Sequence, residues 1–369
     1  MRFNCQVTDL VNALSTVSRA LAVRSTLQVL EGVLVESCPE GLRLTCTDLA
    51  LGIETSIPAQ VTQEGRVVLP GRLFGEIIRK LPGGSVEVAV NDRYAATIRC
   101  QSSRTTLAGM NPVEYPELPQ VEGGSRVTMQ QKTLRDMVQK TCFAIATDET
   151  RPILTGCLME IEGQEVRMVA LDGFRLAMRR ADLPEPAGAP VQAVVGGKML
   201  SELAKVLSEE DAPVELHIGR THLVADMGAT RVVTRLLEGE YIRYRQILPT
   251  EWQTRIQVRC ADLGNAIDRA SLIAREGKNN LVRFHIEGDT LTLTSNAELG
   301  DVQEQMSILT EGKDMEIAFN VRYVSDVLKV LGEESVCMRF NSNVSPCVIC
   351  PPEGEDYLYL VLPVRVFAS

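Results

Sequence analysis

One pattern of residues occurs three times in this chain, at intervals of roughly 125 residues, and such a long repeat limits the fold more than any single motif does. Each copy begins with a basic residue, has an acid at its fifth place and a base at its eighth, and ends on leucine. Apolar residues recur within each copy at helical spacing, which predicts an amphipathic helix. The copies lie at residues 72–81, 198–207 and 322–331.

Strand patterns flank these helices in the same order each time. Strands that run into a polar turn precede the helices, at residues 42–48, 166–172 and 291–296. Alternating apolar residues follow them, at residues 85–90, 213–218 and 335–340. Helix, strand and turn in one order three times predict three copies of a single α+β unit.

Each unit is predicted to contain two helices. The first helices are predicted at residues 8–22, 131–146 and 261–275, and the second at 71–81, 197–208 and 321–331. In the helix at 71–81, one face is apolar and is expected to be buried; it consists of Leu73, Phe74, Ile77, Ile78 and Leu81.

Proline and glycine mark two candidate linkers, near residues 115–125 and 248–251. These linkers predict three domains, at residues 1–124, 125–250 and 251–369.

Charge and hydrophobicity narrow the class of protein. The hydrophobic share of 45% suits a chain with a real core, and no apolar run is long enough for a transmembrane helix. The N-terminal residues contain no apolar segment after a basic start, so a cytoplasmic protein is expected. The net charge of −10 argues against nucleic acid, yet the six predicted helices contain more basic than acidic residues. Basic helices can attract a polyanion, or they can simply be solvated helix faces.

The sequence offers no convincing catalytic or metal site. The three histidines, His217, His222 and His285, lie apart from any cluster of ligands and read as structural or exposed. Cys347 and Cys350 fall in a predicted strand, where residues three apart point to opposite faces. The ten cysteines are therefore predicted to be reduced and mostly buried. Cys5 and Cys38 are the first candidates for an exposed thiol.

Phosphate-binding loops and nucleophile elbows are also absent from the sequence. Asp48 and Asp172 occupy the same place in the first two units, at the end of a strand, where an Asx turn explains them better than catalysis does.

Several stretches of the chain resemble the bacterial sliding clamp family, the β subunits of DNA polymerase III. The resemblance covers the whole chain in register. It is carried by residues 44–49, 115–119, 169–177, 244–249, 317–323 and 359–365, of which Asp-Gly-Phe-Arg-Leu at 172–176 and Leu-Pro-Val-Arg at 362–365 are the most specific.

The resemblance implies a fold of three similar clamp domains per chain and a head-to-tail homodimer. The dimer would be a ring with helices inside and sheets outside, which would encircle double-stranded DNA without sequence preference. Its function would be to tether the replicative DNA polymerase and other clients. Other implied partners are a clamp loader and further proteins with a clamp-binding motif; no cofactor and no membrane are implied.

Residues at matching positions give the expected DNA contacts and the expected dimer contact. Arg24, Arg72 and Lys198 match basic positions at the hole, whereas Pro152 and Ile153 stand where the family can have tyrosines. The dimer contact is expected between a strand at residues 104–107 and a helix end. Its apolar residues are Leu107, Leu272 and Ile273, and Thr105 stands where the family often has an aromatic residue.

The resemblance also implies one pocket per chain for a client peptide with apolar anchors. In it, Gly173 would let a turn approach the peptide, Leu362 would be a movable apolar lid, and Arg175 would orient the chain terminus or a peptide carbonyl. Ile242 stands where proline is common, and the chain continues beyond Arg365. The matching residues are Leu154, Leu171, Gly173, Phe174, Arg175, Leu176, Ile247, Asn320, Tyr323, Val361, Leu362, Pro363, Val364 and Arg365.

Three alternatives stay open on the sequence alone. The pocket residues could merely pack a domain junction. The chain could be an enzyme with a site assembled between repeats, which would require a reactive residue in a cleft. It could also be a binding module that has lost its DNA role, which loss of the basic helix faces would favour.

Overall fold

The computed structural model of the chain describes residues 1–277 and 280–365. Six α-helices occur in this part of the chain, and none of them is long and apolar enough to cross a membrane. They are α1 (Val7–Val17), α2 (Gly71–Arg79), α3 (Gln131–Gln139), α4 (Gly197–Val206), α5 (Cys260–Ala274) and α6 (Val321–Val330).

Two of the first helices are shorter than predicted. α1 ends at Val17 and continues as a 3₁₀ turn at Ser18–Ala20, and α3 ends at Gln139 before a 3₁₀ turn at Cys142–Ala144. The Thr141 hydroxyl donates to the carbonyl oxygen of Met137 at 2.7 Å, so a side chain competes with the backbone for the acceptors of the last turn. A 3₁₀ turn, whose hydrogen bonds join residues three apart, then replaces the α-helix.

The strands follow the helices in the order that the repeat predicts. The first third of the chain has β1 (Arg2–Gln6), β2 (Gly32–Cys38), β3 (Gly41–Thr47), β4 (Leu51–Ile57), β5 (Gln60–Gln63), β6 (Arg66–Pro70), β7 (Ser85–Val90), β8 (Ala95–Cys100) and β9 (Ser103–Ala108). The middle third has β10 (Ser125–Gln130), β11 (Gly156–Glu162), β12 (Glu165–Leu171), β13 (Arg175–Asp182), β14 (Val191–Gly196), β15 (Pro213–Ile218), β16 (His222–Asp226) and β17 (Thr230–Arg235). The last third has β18 (Thr254–Arg259), β19 (Leu281–Glu287), β20 (Thr290–Ala297), β21 (Gly300–Ser307), β22 (Leu309–Gly312), β23 (Met315–Asn320), β24 (Ser335–Phe340), β25 (Cys347–Cys350) and β26 (Tyr357–Val361).

The chain divides into two compact units, and the middle repeat contributes to both. The first unit is Met1–Lys132 with Lys205–Leu236, and the second is Thr133–Ala204 with the chain from Leu237 onward. The first unit contains sheets in the orders β5-β1-β7-β8-β9 and β10-β15-β16-β17-β4-β3-β2-β6. The second contains β14-β11-β12-β13-β26-β25-β24-β18-β22 and β21-β20-β19-β23. The predicted domains at 1–124, 125–250 and 251–369 remain predictions.

Antiparallel pairing between strands of different repeats joins neighbouring repeats within each unit. In the first unit, β17 of the middle repeat pairs with β4 of the first. In the second unit, β26 of the last repeat pairs with β13 of the middle one. The two pairs use equivalent strands. β4 and β13 are each the third strand after the first α-helix of their repeats, and β17 and β26 are each the last strand of their repeats.

Buried tyrosines repeat with the fold. The Tyr115 hydroxyl donates to the carbonyl oxygen of Thr45 at 3.1 Å, and the Tyr241 hydroxyl donates to that of Val169 at 3.3 Å. Thr45 and Val169 stand at equivalent places in β3 and β12. In both repeats, the segment that leaves the last strand is thus tied back to a central strand by one phenol group.

The apolar face of α2 is narrower than the sequence predicts. Phe74 and Ile78 are fully buried, but Leu73 is 49% exposed, so its placement in the buried face is wrong. Successive helix residues lie 100° apart, and Leu73 therefore points away from the stripe that Phe74 and Ile78 share.

The difference between these neighbours predicts unequal losses of stability. Phe74→Ala should lower the free energy of unfolding by about 3–5 kcal/mol, because it leaves a cavity in the core. Leu73→Ala on the same helix is the matched control and should cost less than about 1 kcal/mol. Urea denaturation followed by circular dichroism measures both. Equal losses for the two variants would contradict the assigned buried face.

Candidate functional site

A cluster of buried apolar side chains in the second unit forms the floor of the predicted pocket. Leu154, Leu171 and Leu176 are at most 3% exposed and belong to one cluster with Tyr241 and Tyr244. Val361, another predicted pocket residue, is fully buried in β26. Residues far apart in sequence meet here because β26 pairs with β13, which places the end of the last repeat beside the middle one.

Exposed apolar side chains stand at the edge of this floor. The Phe174 ring is stacked on the Tyr323 ring, with centroids 6.0 Å apart and planes 18° apart, although Phe174 is 58% exposed. Ile247 is also exposed. The Leu362 side chain is half-buried and packs against the apolar cluster. Exposed aromatic and aliphatic groups beside an apolar floor can receive the apolar side chains of a ligand.

The chain segment after β26 is held by its backbone. The Leu362 amide donates to the carbonyl oxygen of Phe174 at 2.9 Å, and the Val364 amide donates to that of Ala318 at 2.8 Å. Pro363 and Val364 are half-buried, and Arg365 is exposed. Two backbone hydrogen bonds thus fix this segment and leave the Leu362 side chain at the pocket edge. The segment 366–369, which was noted as a continuation of the chain, lies outside the described residues.

Asn320 has a structural task at the start of α6. Its side-chain oxygen accepts a hydrogen bond from the Arg322 amide at 3.0 Å, which caps the helix. The cap fixes the first turn of the helix that bears Tyr323, so Asn320 positions one of the two stacked rings.

An Asx turn between β12 and β13 presents Phe174. One carboxylate oxygen of Asp172 accepts hydrogen bonds from the Phe174 and Arg175 amides, at 2.9 and 3.0 Å. Gly173 lies between them with φ of +95°, a conformation that side chains rarely adopt. The turn reading of Asp172 is therefore confirmed.

The first repeat contains the same turn. One Asp48 oxygen accepts from the Ala50 and Leu51 amides, at 3.0 and 2.8 Å. Here Leu49, with φ of +75° and an exposed side chain, stands at the place of Gly173. The turn is common to both repeats, but only the second has an aromatic residue and a bare glycine backbone in it.

Arg175 is held by partners within the chain, and its predicted role at the chain terminus or at a peptide carbonyl stays a prediction. Its Nε atom donates to Asp172 at 3.0 Å, its Nη1 atom to Asp326 at 2.6 Å and its Nη2 atom to the Phe143 carbonyl oxygen at 2.7 Å. The residue is buried, and its guanidinium lies 4.9 Å from the centre of the Tyr323 ring. These three hydrogen bonds use three of the five N–H donors of the guanidinium, and they hold the turn against α6.

A second buried network lies beneath the segment after Tyr241. The Tyr244 hydroxyl donates to Glu160 at 2.5 Å, and Arg245 donates to the same carboxylate oxygen at 3.1 Å. Burial, and secondly the hydrogen bond to Glu160, raise the pKa of Tyr244. The network anchors the segment that presents the exposed residues Ile242 and Ile247.

Some of these residues could not be found from the sequence. Asp326 and Phe143 are distant from Arg175 in the chain, and no local pattern pairs them. Glu160 reads as a solvated strand residue until its partners are seen. Ile242 could be noticed in the sequence, because it is a large apolar residue in a polar loop. In the structure it is 38% exposed.

The predicted DNA-binding residues are exposed. Arg24 lies in the loop after α1, and Arg72 projects from the first turn of α2, 3.3 Å from Glu76. Ser25, the neighbour of Arg24, lines one cavity of the first unit together with Arg72, so the loop and the helix are close. Lys198 is exposed at the start of α4, in the second unit.

The predicted dimer residues differ in what they expose. β9, which contains Thr105 and Leu107, is an edge strand whose one partner among the described strands is β8. Leu107 is only 6% exposed, so it offers little apolar surface in the single chain, and its place at the dimer contact stays a prediction. Leu272 is 65% exposed on α5, and Ile273 is half-buried.

Candidate metal and thiol chemistry is limited in the described residues. No group of three or more potential metal ligands occurs within residues 1–277 and 280–365. All ten cysteines are free. The expectation of an exposed thiol at Cys5 is wrong, because its strand β1 lies inside a sheet and the residue is buried, whereas Cys38 is partly exposed.

Comparison with known proteins identifies the family. The models of the N-terminal, central and C-terminal domains of the DNA polymerase III beta subunit match residues 1–119, 128–242 and 245–365. The beta sliding clamps of Bacillus subtilis and Staphylococcus epidermidis are 34% identical over 378 residues and 33% identical over 377, with 100% of both chains covered. These matches confirm three clamp domains of α+β architecture.

Solved structures agree with this family. The DNA polymerase sliding clamp of Bacillus subtilis superposes with a TM-score of 0.96 at 34% identity, over 100% of both chains. The DNA polymerase III beta subunit of Thermotoga maritima gives 0.92 at 28% identity, over 99% of this chain and 100% of the other. The repeat, the shared sheets and these likenesses lead to one conclusion: the chain belongs to the β sliding clamp family, the β subunits of DNA polymerase III.

Proposed function

We propose that this chain is a DNA sliding clamp: two copies close head to tail into a ring around duplex DNA, which tethers the replicative polymerase and other clients. Its role is processivity, in the cytoplasm, and requires no catalytic residue. The domains would be 1–124, 125–250 and 251–369, and a clamp loader would open the ring. The observation that supports this proposal most is the pairing of equivalent strands between neighbouring repeats.

The unused edges of the outer repeats suit a head-to-tail dimer. Within the chain, β4 pairs with β17 and β13 pairs with β26. Their remaining equivalents are β21 in the last repeat and β9 in the first, and both are edge strands of their sheets. If β21 of each copy pairs with β9 of the other, the dimer contains two such strand pairs between chains and two within each chain. The same junction then occurs six times in the ring, and both edges are covered.

Register places specific residues at this proposed junction. Val232 of β17 lies opposite Ile53 of β4. Thr105 stands at the place of Val232, because each is the third residue of its strand; they lie opposite Ile98 and Ala225 of the preceding hairpin strands. Val232 is fully buried, whereas Thr105 is partly exposed and small, so its junction contains less apolar area.

The dimer is tested by adding and removing apolar surface. Thr105→Phe should tighten the dimer, by about 1–2 kcal/mol at each interface, because more apolar surface is buried. Leu272→Asp should weaken it, because a carboxylate would be desolvated there. Leu309→Asp is the matched control, since Leu309 on β22 is 67% exposed, much like Leu272. Light scattering over a dilution series measures the dimer, and monomer alone at micromolar wild type would refute the assembly.

Encirclement is tested by the topology of the DNA. Protein loaded by a clamp loader on nicked circular DNA should stay bound through gel filtration and should be lost when the circle is cut, because a ring slides off an end. Retention on the linear DNA would contradict the ring.

The predicted DNA contacts are tested in the same assay. The combined variant Arg24→Ala, Arg72→Ala and Lys198→Ala should reduce loading while light scattering still detects the dimer, because each phosphate contact adds attraction at low salt. Unchanged DNA binding in low salt would count against these residues.

The pocket of the second unit would bind the apolar anchors of a client peptide. Leu154, Leu171, Leu176 and Val361 give an apolar floor, and the exposed edge offers Phe174, Tyr323, Ile247 and Leu362. Gly173, Pro363, Val364 and Arg365 would shape the ends of the groove, while Arg175 and Asn320 hold it in position. Its apolar edge is exposed in the free chain, which a structural junction alone does not require.

A client peptide with apolar anchors should distinguish the pocket from mere packing. Leu362→Asp should abolish micromolar binding, because an apolar partner would have to desolvate a carboxylate. A chain that ends at Leu360 should lose binding too. Leu309→Asp, on an exposed leucine elsewhere in the second unit, should bind as the wild type does. Calorimetry measures affinity, and wild-type affinity in both pocket variants, with the dimer intact, would rule out this pocket.

A further inference from the structure

Two cysteines of the last repeat lie directly opposite one another on neighbouring strands of the nine-stranded sheet. Cys337 of β24 is the cross-strand partner of Cys350 of β25, and both are free thiols. Opposed residues in antiparallel strands have Cα atoms about 4.5 or 5.5 Å apart, and disulfides join Cα atoms about 4.4–6.8 Å apart. A disulfide between them is therefore compatible with the existing backbone.

An arginine contacts the sulfur of Cys337. Arg255 Nε on β18 donates to Cys337 Sγ at 3.0 Å, while Arg255 Nη1 lies 2.7 Å from Glu311. A hydrogen bond from Cys350, and then the charge of Arg255, lower the pKa of Cys337 to about 6 against the opposing effect of burial. The same contact raises the pKa of Cys350. These contacts favour the negative charge on Cys337 rather than on Cys350.

Other buried cysteines differ from this pair. Burial raises the pKa of Cys46 and of Cys157, so both remain protonated thiols. Reactivity towards oxidants requires the thiolate, which a neighbouring cation favours and an apolar environment disfavours. The surroundings of Cys337 therefore favour reaction, and those of Cys46 and Cys157 oppose it.

A cavity lies beside the pair, on the side of Cys350. Cys350 lies in the wall of a cavity of about 500 Å³ in the second unit. Arg339, Arg180 and Arg245 also line it, so the wall is rich in cations. Cys350 is 6% exposed and Cys337 is fully buried, so neither sulfur is open to a protein oxidant, and a small oxidant would enter through the cavity.

We propose that Cys337 and Cys350 form a peroxide-reactive thiol pair, in which Cys337 is the nucleophile and Cys350 the resolving thiol. The Cys337 thiolate attacks one oxygen of hydrogen peroxide. An S–O bond forms, the O–O bond breaks, and the hydroxide that leaves takes up a proton from solvent. Cys350 then loses its proton and attacks the Cys337 sulfur, so that the S–S bond forms and water leaves. Two thiols are oxidised, and one peroxide becomes two waters.

The reduced full-length chain tests this directly. It is treated with hydrogen peroxide in small excess, unfolded in an alkylating agent, digested and analysed by mass spectrometry. The expected product is a peptide pair linked through Cys337 and Cys350, with Cys46 and Cys157 alkylated. The proposal would be overturned if both cysteines of the pair were still alkylated at a dose that oxidises the partly exposed Cys38. A disulfide between either of them and another cysteine would overturn it too.

Variants separate the two roles. In Cys350→Ser, a sulfenic acid should accumulate on Cys337 and react with dimedone, and an adduct elsewhere or none would overturn the assignment of the nucleophile. Arg255→Gln should slow disulfide formation by about tenfold, because the thiolate is less favoured. Arg283→Gln, which removes an arginine that contacts Glu316 in the four-stranded sheet, should leave the rate unchanged. Equal rates in both arginine variants would remove Arg255 from the mechanism.

Discussion

Main-chain hydrogen bonding between strands of different repeats is the constraint on which the other features depend. A single repeat leaves the edge strands of its sheets without partners, and an exposed edge invites association with any other chain. The pairs β4–β17 and β13–β26 cover such edges inside the chain. The same pairs bring β26 beside β13, without which Leu362 and Phe174 would not meet. One solution to the edge problem thus brings the apolar cluster together and leaves β9 and β21 as edge strands.

Much of the architecture followed from the sequence, because it is repeated and local. Alternating residues predicted β7, β15 and β24 with the observed bounds, and the turn at Asp172 was read correctly. A local pattern carries such information, since strand alternation and Asx turns depend on neighbours along the chain. Three copies of one pattern also support each other, so an ambiguity in one copy is settled by the next.

What the sequence could not predict depends on tertiary contacts. The sequence did not pair Arg175 with Asp172, Asp326 and Phe143, which accept three of its N–H groups. The low exposure of Leu107 and the high exposure of Leu73 were likewise not predicted. In each case, the residue type and its position in the repeat predicted the helix or strand that contains the residue. They did not predict which side chains cover that residue.

The turn at Asp48 and Asp172 shows how a repeat acquires an individual function. The backbone hydrogen bonds of the two turns are the same, but Leu49 and Ala50 stand where Gly173 and Phe174 do. Leu49 has a side chain where Gly173 has none, and a Cβ at Gly173 would lie 3.2 Å from the Arg151 guanidinium. On the proposed function, each protomer would therefore offer one such place despite its internal symmetry, and two protomers would offer two places on one DNA molecule, few enough that clients would compete for them.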